Sequence, residues 1–169
     1  IIALAKQRIP WLMILMIGAT VTGGIITKFE EVLSAVVVLT AFIPMLMDTG
    51  GNSGSQSSTL IIRGLATGDV ELNDLWKVLW KEFRISLLVG ITLATVNFAK
   101  NMLFDRVGLM VSLTVSITVA TTVMIAKMVG GTLPLIAKKL KLDPAIMAGP
   151  LITTIVDALT LTVYFAIAS

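Results

Sequence analysis

Residues 145–168 read AIMAGPLITTIVDALTLTVYFAIA, and Asp157 is the only charge in the run. About 20 apolar residues of helix cross the ~30 Å hydrocarbon layer of a bilayer, so this stretch is long enough to span. Four more apolar segments precede it: residues 9–27, residue 32 into the Gly50-Gly51 pair, residues 85–99 and residues 108–137. Over all 169 residues 56% are hydrophobic, 14% are charged and the mean hydropathy is +0.97. A soluble domain lies near half apolar and a quarter charged. The excess falls in span-length runs, so the expected fold is an all-α membrane protein with five transmembrane helices.

Basic residues divide unevenly between the connections. Lys6, Arg8, Arg63, Lys77, Lys81, Arg84, Lys138, Lys139 and Lys141 fall on one side, and Lys28, Lys100 and Arg106 on the other. The excess of Lys and Arg marks the cytoplasmic face. A cytoplasmic N-terminus and an external C-terminus follow for five spans, in a cell membrane of the bacterial inner or plasma type. The chain opens on Ile1 without a signal-peptide layout and is expected to be a piece of a longer protein.

The chain has no Cys and no His. Disulfides, thiolate and zinc sites and imidazole bases are therefore excluded. A metal must be met by oxygen, which favours hard cations such as Mg2+. No GxxxxGK[ST] phosphate loop occurs, and no two acids stand at catalytic spacing on one helix, so an enzyme is not expected. The net charge of +3 lies at span ends and does not point to nucleic acid.

Asp157 carries the chemistry. A carboxylate in mid-span is costly and usually functional. Pro150, Thr153, Thr154, Thr160 and Tyr164 lie three, four or seven positions from it, a spacing that groups them on one helical face. Three readings stay open: a structural acid paired with Lys127, a proton relay, and a cation site. A lone carboxylate in a low dielectric takes up a proton, whereas a divalent cation keeps it ionised. Two such acids about a two-fold axis match one 2+ charge, and two-fold homodimers are the commonest oligomers. Mg2+ parts reluctantly with its waters, so its site must admit a hydrated ion.

Residues 44–59, PMLMDTGGNSGSQSST, are the irregular part. Pro44 removes an N–H in the middle of the second segment, and a polar, glycine-rich run follows. Irregular backbone at membrane depth must line a cavity or be buried in protein. Gly50, Gly51 and Gly54 are expected to bring carbonyls to a cavity, with Asn52, Gln56 and Thr59 adding side-chain oxygens. Gly50 and Gly54 also read as a GxxxG packing pair. Asp48 either joins the site or caps the half-helix after the break, and Lys127 is read as snorkelling. Ser112, Thr114, Ser116, Thr118, Thr121 and Thr122 bond back to their own helix or stud an interface. Residues 69–84 read as a separate amphipathic helix at the interface, with Leu72, Leu75, Trp76, Leu79, Trp80 and Phe83 on one face and Asp69 as N-cap.

The run from Pro44 to Thr59, with Ile62-Arg63-Gly64-Leu65-Ala66 after it, resembles the MgtE family of Mg2+ channels and transporters. Arg8-Ile9-Pro10-Trp11-Leu12 is similar to the start of that family's first membrane helix. Leu142-Asp143-Pro144-Ala145 and Gly149-Pro150-Leu151 through Thr154-Ile155-Val156-Asp157 are similar to its last loop and last helix. The resemblance implies a homodimer with five membrane helices per chain and a pore between protomers lined by the second and fifth. It implies that Asp157 binds a largely hydrated Mg2+, with Co2+ or Mn2+ as further cargo and lipid as surroundings. It also implies a cytosolic N-terminal domain and a CBS pair, neither of which lies in residues 1–169, here a transmembrane ion-conducting domain. Some members carry Asn before the last-helix Pro; Gly149 stands there in this chain, so that side chain's share in selectivity does not carry over. Passive Mg2+ passage is the function expected. A Na+- or H+-coupled carrier and a non-conducting membrane scaffold are its rivals.

Overall fold

The computed structural model describes residues 2–145 and 149–169, so residues 146–148 of the last apolar segment lie outside the described residues. Among the described residues the α-helices are α1 (Ile2–Lys28), α2 (Glu30–Ala35), α3 (Ile43–Thr67), α4 (Leu75–Lys100), α5 (Leu109–Lys139) and α6 (Pro150–Ala168). A 3-10 segment, Val37–Phe42, leads into α3, a second, Leu72–Asp74, leads into α4, and a π turn, Asn101–Asp105, ends α4. Among the described residues there is no strand.

Among the described residues four stretches are long and apolar enough to cross a membrane: Arg8–Lys28, Leu72–Asp105, Leu109–Lys139 and Pro150–Ala168. α3 is the exception. At about 1.5 Å per residue its 25 residues reach about 37 Å, but its polar run keeps it below that apolar standard.

Four expectations are corrected. The glycine-rich run does not break the second helix; α3 is continuous from Ile43 to Thr67. Pro44 stands in its first turn, where a missing N–H leaves no helical bond unmade, and the irregular backbone comes earlier, at Val37–Phe42. Residues 69–84 do not form a separate interfacial helix, because α4 runs unbroken through Lys100. The 3-10 segment that leads into it is capped by Glu71 and Asp74 reciprocally, the Glu71 N–H donating to Asp74 Oδ2 at 3.0 Å. Asp69, expected as the cap, instead accepts the Thr67 hydroxyl at 2.6 Å. α1 also starts before residue 9, with Pro10 inside it.

α5 is the central helix, packed on α3, α4 and α6, while α1 leans on α6. Contacts fix the directions. Gly50 meets Thr122 and Gly54 meets Ala126, so α3 and α5 run parallel; Gly50 meets Val156 and Gly54 meets Ile152, so α3 and α6 run antiparallel. One end of the bundle gathers Ile61, Leu65, Val78 and Leu135. There α3 stops at Gly68, whose φ of 83° suits glycine. The Lys138 ammonium donates to the Leu65 carbonyl at 3.1 Å, satisfying one of the carbonyls left open by the helix end. The other end is a core of Leu39, Phe42, Leu46, Val115, Tyr164 and Phe165, with the Tyr164 hydroxyl donating to the Leu39 carbonyl at 2.8 Å.

The closest approach is between α3 and α5. A Cβ on Gly130 would overlap the Gly54 carbonyl oxygen, and backbone cannot swing aside as a side chain can. Gly130→Ala should therefore destabilise the bundle by about 1–3 kcal/mol, the usual cost of overpacking. A thermal melt in detergent compared with wild type checks this; an unchanged midpoint would contradict it.

Candidate cation site

Asp157 lies seven residues into α6, about 10 Å from its start. It is half-buried. Together with Thr153, one turn earlier on the same face, it lines an open cleft of ≈ 270 Å³ against α3. From α3 come Met47, Asp48, Gly51 and Asn52. Asn52 Nδ2 donates to Asp48 Oδ2 at 3.1 Å, which fixes that carboxylate toward the cleft's own helix face. Two carboxylates, an amide and a hydroxyl therefore share one cleft between α3 and α6.

Among the described residues, the ion pairs are Lys77–Asp74 and Lys100–Asp105, and neither involves Asp157. Lys127, the partner considered for Asp157, points elsewhere. Its ammonium donates to Gln56 Oε1 at 3.0 Å and to Ser57 Oγ at 3.4 Å. Lys127 is only 3% exposed, so it is buried rather than snorkelling. Beyond it, Ser57 Oγ donates to Glu82 Oε2 at 2.6 Å, and Glu82 is also 3% exposed. A buried relay thus ties α5 to α3 and α3 to α4.

The expected cavity-lining residues divide into groups. Gly51, Asn52 and Thr153 line the cleft with Asp157. Gly50, Gly54 and Thr160 sit instead in the seam of α3, α5 and α6. Gly50 faces Val156, Thr122 and Thr160, and Gly54 faces Ile152 and Ala126, so these glycines serve close packing and not carbonyl display. The reason is the unbroken helix: its carbonyls are already used along its own axis. Thr160 is fully buried, its hydroxyl without a partner. Thr154 packs on Gly18 of α1 and donates to the Pro150 carbonyl at 2.9 Å. Pro150 opens α6, Gln56 holds Lys127, and Thr59 donates to the Ser55 carbonyl at 2.8 Å.

Of the two roles open to Asp48, capping is ruled out, because it lies inside α3, past the first turn, and lines the cleft with Asp157. The signal was in the sequence. Asp48, Asn52, Gln56 and Thr59 recur at four, four and three positions, which sets one polar stripe along a helix, and all four are exposed. Among the described residues no three acids cluster as a direct metal cage.

The profile of the MgtE family, described as a divalent cation transporter, matches residues 43–167, from the start of α3 to the end of α6. The magnesium transporter MgtE of Thermus thermophilus is 40% identical over 167 residues, which is 99% of this chain and 37% of that protein. The magnesium transporter MgtE of Bacillus subtilis is 36% identical over 165 residues, 98% of this chain and 36% of that protein. This chain spans little more than a third of the length of these curated relatives. On the profile match and on identity carried through nearly all of its residues, the chain belongs to the MgtE family of divalent cation transporters.

Proposed function

We propose that two copies of this chain form a passive pathway for Mg2+ across a membrane, with five spans per protomer and the α3–α6 clefts facing each other across a two-fold axis. α3 is the fifth span. Its length suffices, and its exposed stripe of Asp48, Asn52, Gln56 and Thr59 is intolerable against lipid. A second copy supplies the polar cover. The observation that carries the reading is the pair Asp48 and Asp157 lining one open cleft of ≈ 270 Å³. Six waters at about 30 Å³ each occupy roughly 180 Å³, so an octahedral hydrated ion fits. Mg2+ is the cargo chosen because the relatives are named magnesium transporters; Co2+ and Mn2+ have the charge and oxygen preference to follow it.

In this reading Asp157 holds the ion's waters, Asp48 adds negative charge, and Gly51, Asn52 and Thr153 complete the wall. Gln56 and Thr59 continue the polar path toward the basic end, and Pro150 and Thr154 anchor α6 at its mouth. Gly50, Gly54 and Thr160 act indirectly by bringing α3 against α6. With the N-terminus cytoplasmic, an inside-negative potential draws the ion inward by about 4.6 kcal/mol per 100 mV for its two charges.

The test is Mg2+ uptake into proteoliposomes loaded with a Mg2+-sensitive dye and polarised by a K+ diffusion potential. Uptake that follows the potential with no Na+ or proton gradient is expected. Uptake that requires either gradient would make the protein a coupled carrier, and none under any gradient would make it a scaffold.

A further inference from the structure

Two clefts adjoin at the basic end of the bundle. One, of ≈ 300 Å³, lies between α3 and α4 with Ile61, Arg63 and Lys81 in its wall. The other, of ≈ 510 Å³, follows the outer face of α4 past Lys81, Arg84 and Leu88. Lys81 and Ile85 belong to both. We propose that this double cleft is a binding site for one anionic phospholipid. Its phosphate sits at Lys81 between Arg63 and Arg84, and its two acyl chains descend on either side of Ile85. The proposal rests on the membrane-spanning reading, not on which ion is carried.

Charge selects the occupant. Asp69 and Glu82 also line the smaller cleft, while Asp74 pairs with Lys77 at 2.7 Å. Glu82 is buried with the Lys127 ammonium across Ser57, so Asp69 is the one exposed acid set against Arg63, Lys81 and Arg84. Among the described residues Arg63, Lys81 and Arg84 enter no ion pair. The rim therefore offers net positive charge to a phosphate, and arginine presents a fork that matches phosphate oxygens. A zwitterionic lipid brings its own cation to the same rim and is disfavoured. Shape selects a lipid over a small anion. Below the charges the walls turn apolar, with Leu60 and Leu88 57% and 73% exposed on the two sides. Trp80, 63% exposed and stacked on Phe83, stands at the level of the cations, the depth at which tryptophans sit in a membrane interface. Basic pockets between spans on the cytoplasmic side are the usual form of anionic headgroup sites.

Tryptophan fluorescence tests this. In a Trp11→Phe variant only Trp76 and Trp80 report. The protein is reconstituted in phosphatidylcholine vesicles with a minor fraction of brominated-chain lipid, either phosphatidylglycerol or phosphatidylcholine. Quenching should favour brominated phosphatidylglycerol by roughly tenfold per lipid, and should weaken as salt is raised. Arg63→Gln with Lys81→Gln should remove the preference, Lys81→Arg should keep it, and Lys139→Gln with Lys141→Gln should leave it. Equal quenching by both lipids, or a preference that survives Arg63→Gln with Lys81→Gln, overturns the site. Loss of the excess on replacing chloride by inorganic phosphate at constant ionic strength overturns the lipid as occupant. The preference stands or falls independently of Mg2+ flux.

Discussion

Asp157→Ala abolishes Mg2+ uptake while the helical bundle survives, and Asp157→Asn nearly does so. Both halves of that expectation come from the same geometry. The carboxylate lines the open α3–α6 cleft and enters no ion pair among the described residues, so its removal breaks nothing that holds helices together. A hydrogen bond to a charged group is worth about 1.5–3 kcal/mol. Each protomer loses one toward the ion's waters, and the two together slow passage by roughly two orders of magnitude or more. Asparagine keeps the size of the side chain but not its charge, and so recovers little. Asp48→Asn should cost less, because Asp48 already shares its oxygen with Asn52. Dye-monitored uptake gives the rate and a thermal melt gives the fold. Wild-type uptake by the asparagine variant would remove Asp157 from the mechanism, and a collapsed melt would make it a structural acid.

Lys127→Met should destabilise the protein by about 3–5 kcal/mol, the largest stability effect expected here. The reason is burial. Lys127 and Glu82 are each 3% exposed, and Ser57 bridges them with contacts of 3.4 and 2.6 Å. Removing one member of a buried charged set leaves the other without compensation in a low dielectric, which costs that much. Replacing both is far milder, since no lone charge remains. Lys127→Met combined with Glu82→Gln should therefore recover much of the loss. A double-mutant cycle by unfolding in bicelles measures the coupling. Strictly additive losses would mean the relay does not act as a unit.

How much of this was legible in the sequence differs from helix to helix. α1, α5 and α6 announced themselves, because a run of apolar residues reads the same whether or not its neighbours are known. α3 did not. Pro44 and the glycines are strong local signals for a break, at about 0.8–1.0 kcal/mol per glycine relative to alanine in a helix interior. They were overruled by contacts no local reading contains: the glycines admit Thr122, Ala126, Ile152 and Val156 to the helix surface. α4 was divided in two because its first half is amphipathic and its second apolar, a change of surroundings and not of backbone. At the cleft, Asp157 was readable as a lone acid in an apolar run. Asp48 was readable only through its i, i+4 relation to Asn52. Glu82 was hidden, since an acid among Lys77, Lys81 and Arg84 reads as a solvated face until α3 and Gly131 of α5 close over it.

The most direct measurement is an anomalous difference map from crystals of the domain grown with Mn2+ as a heavier stand-in for Mg2+. A peak is expected between two symmetry-related Asp157 side chains, roughly 4 Å from their carboxylate oxygens, the reach of a metal–water bond followed by a hydrogen bond. No peak between the two acids, or a metal bound directly to a carboxylate at about 2.1 Å with its waters stripped away, would contradict passage of a hydrated ion through this site.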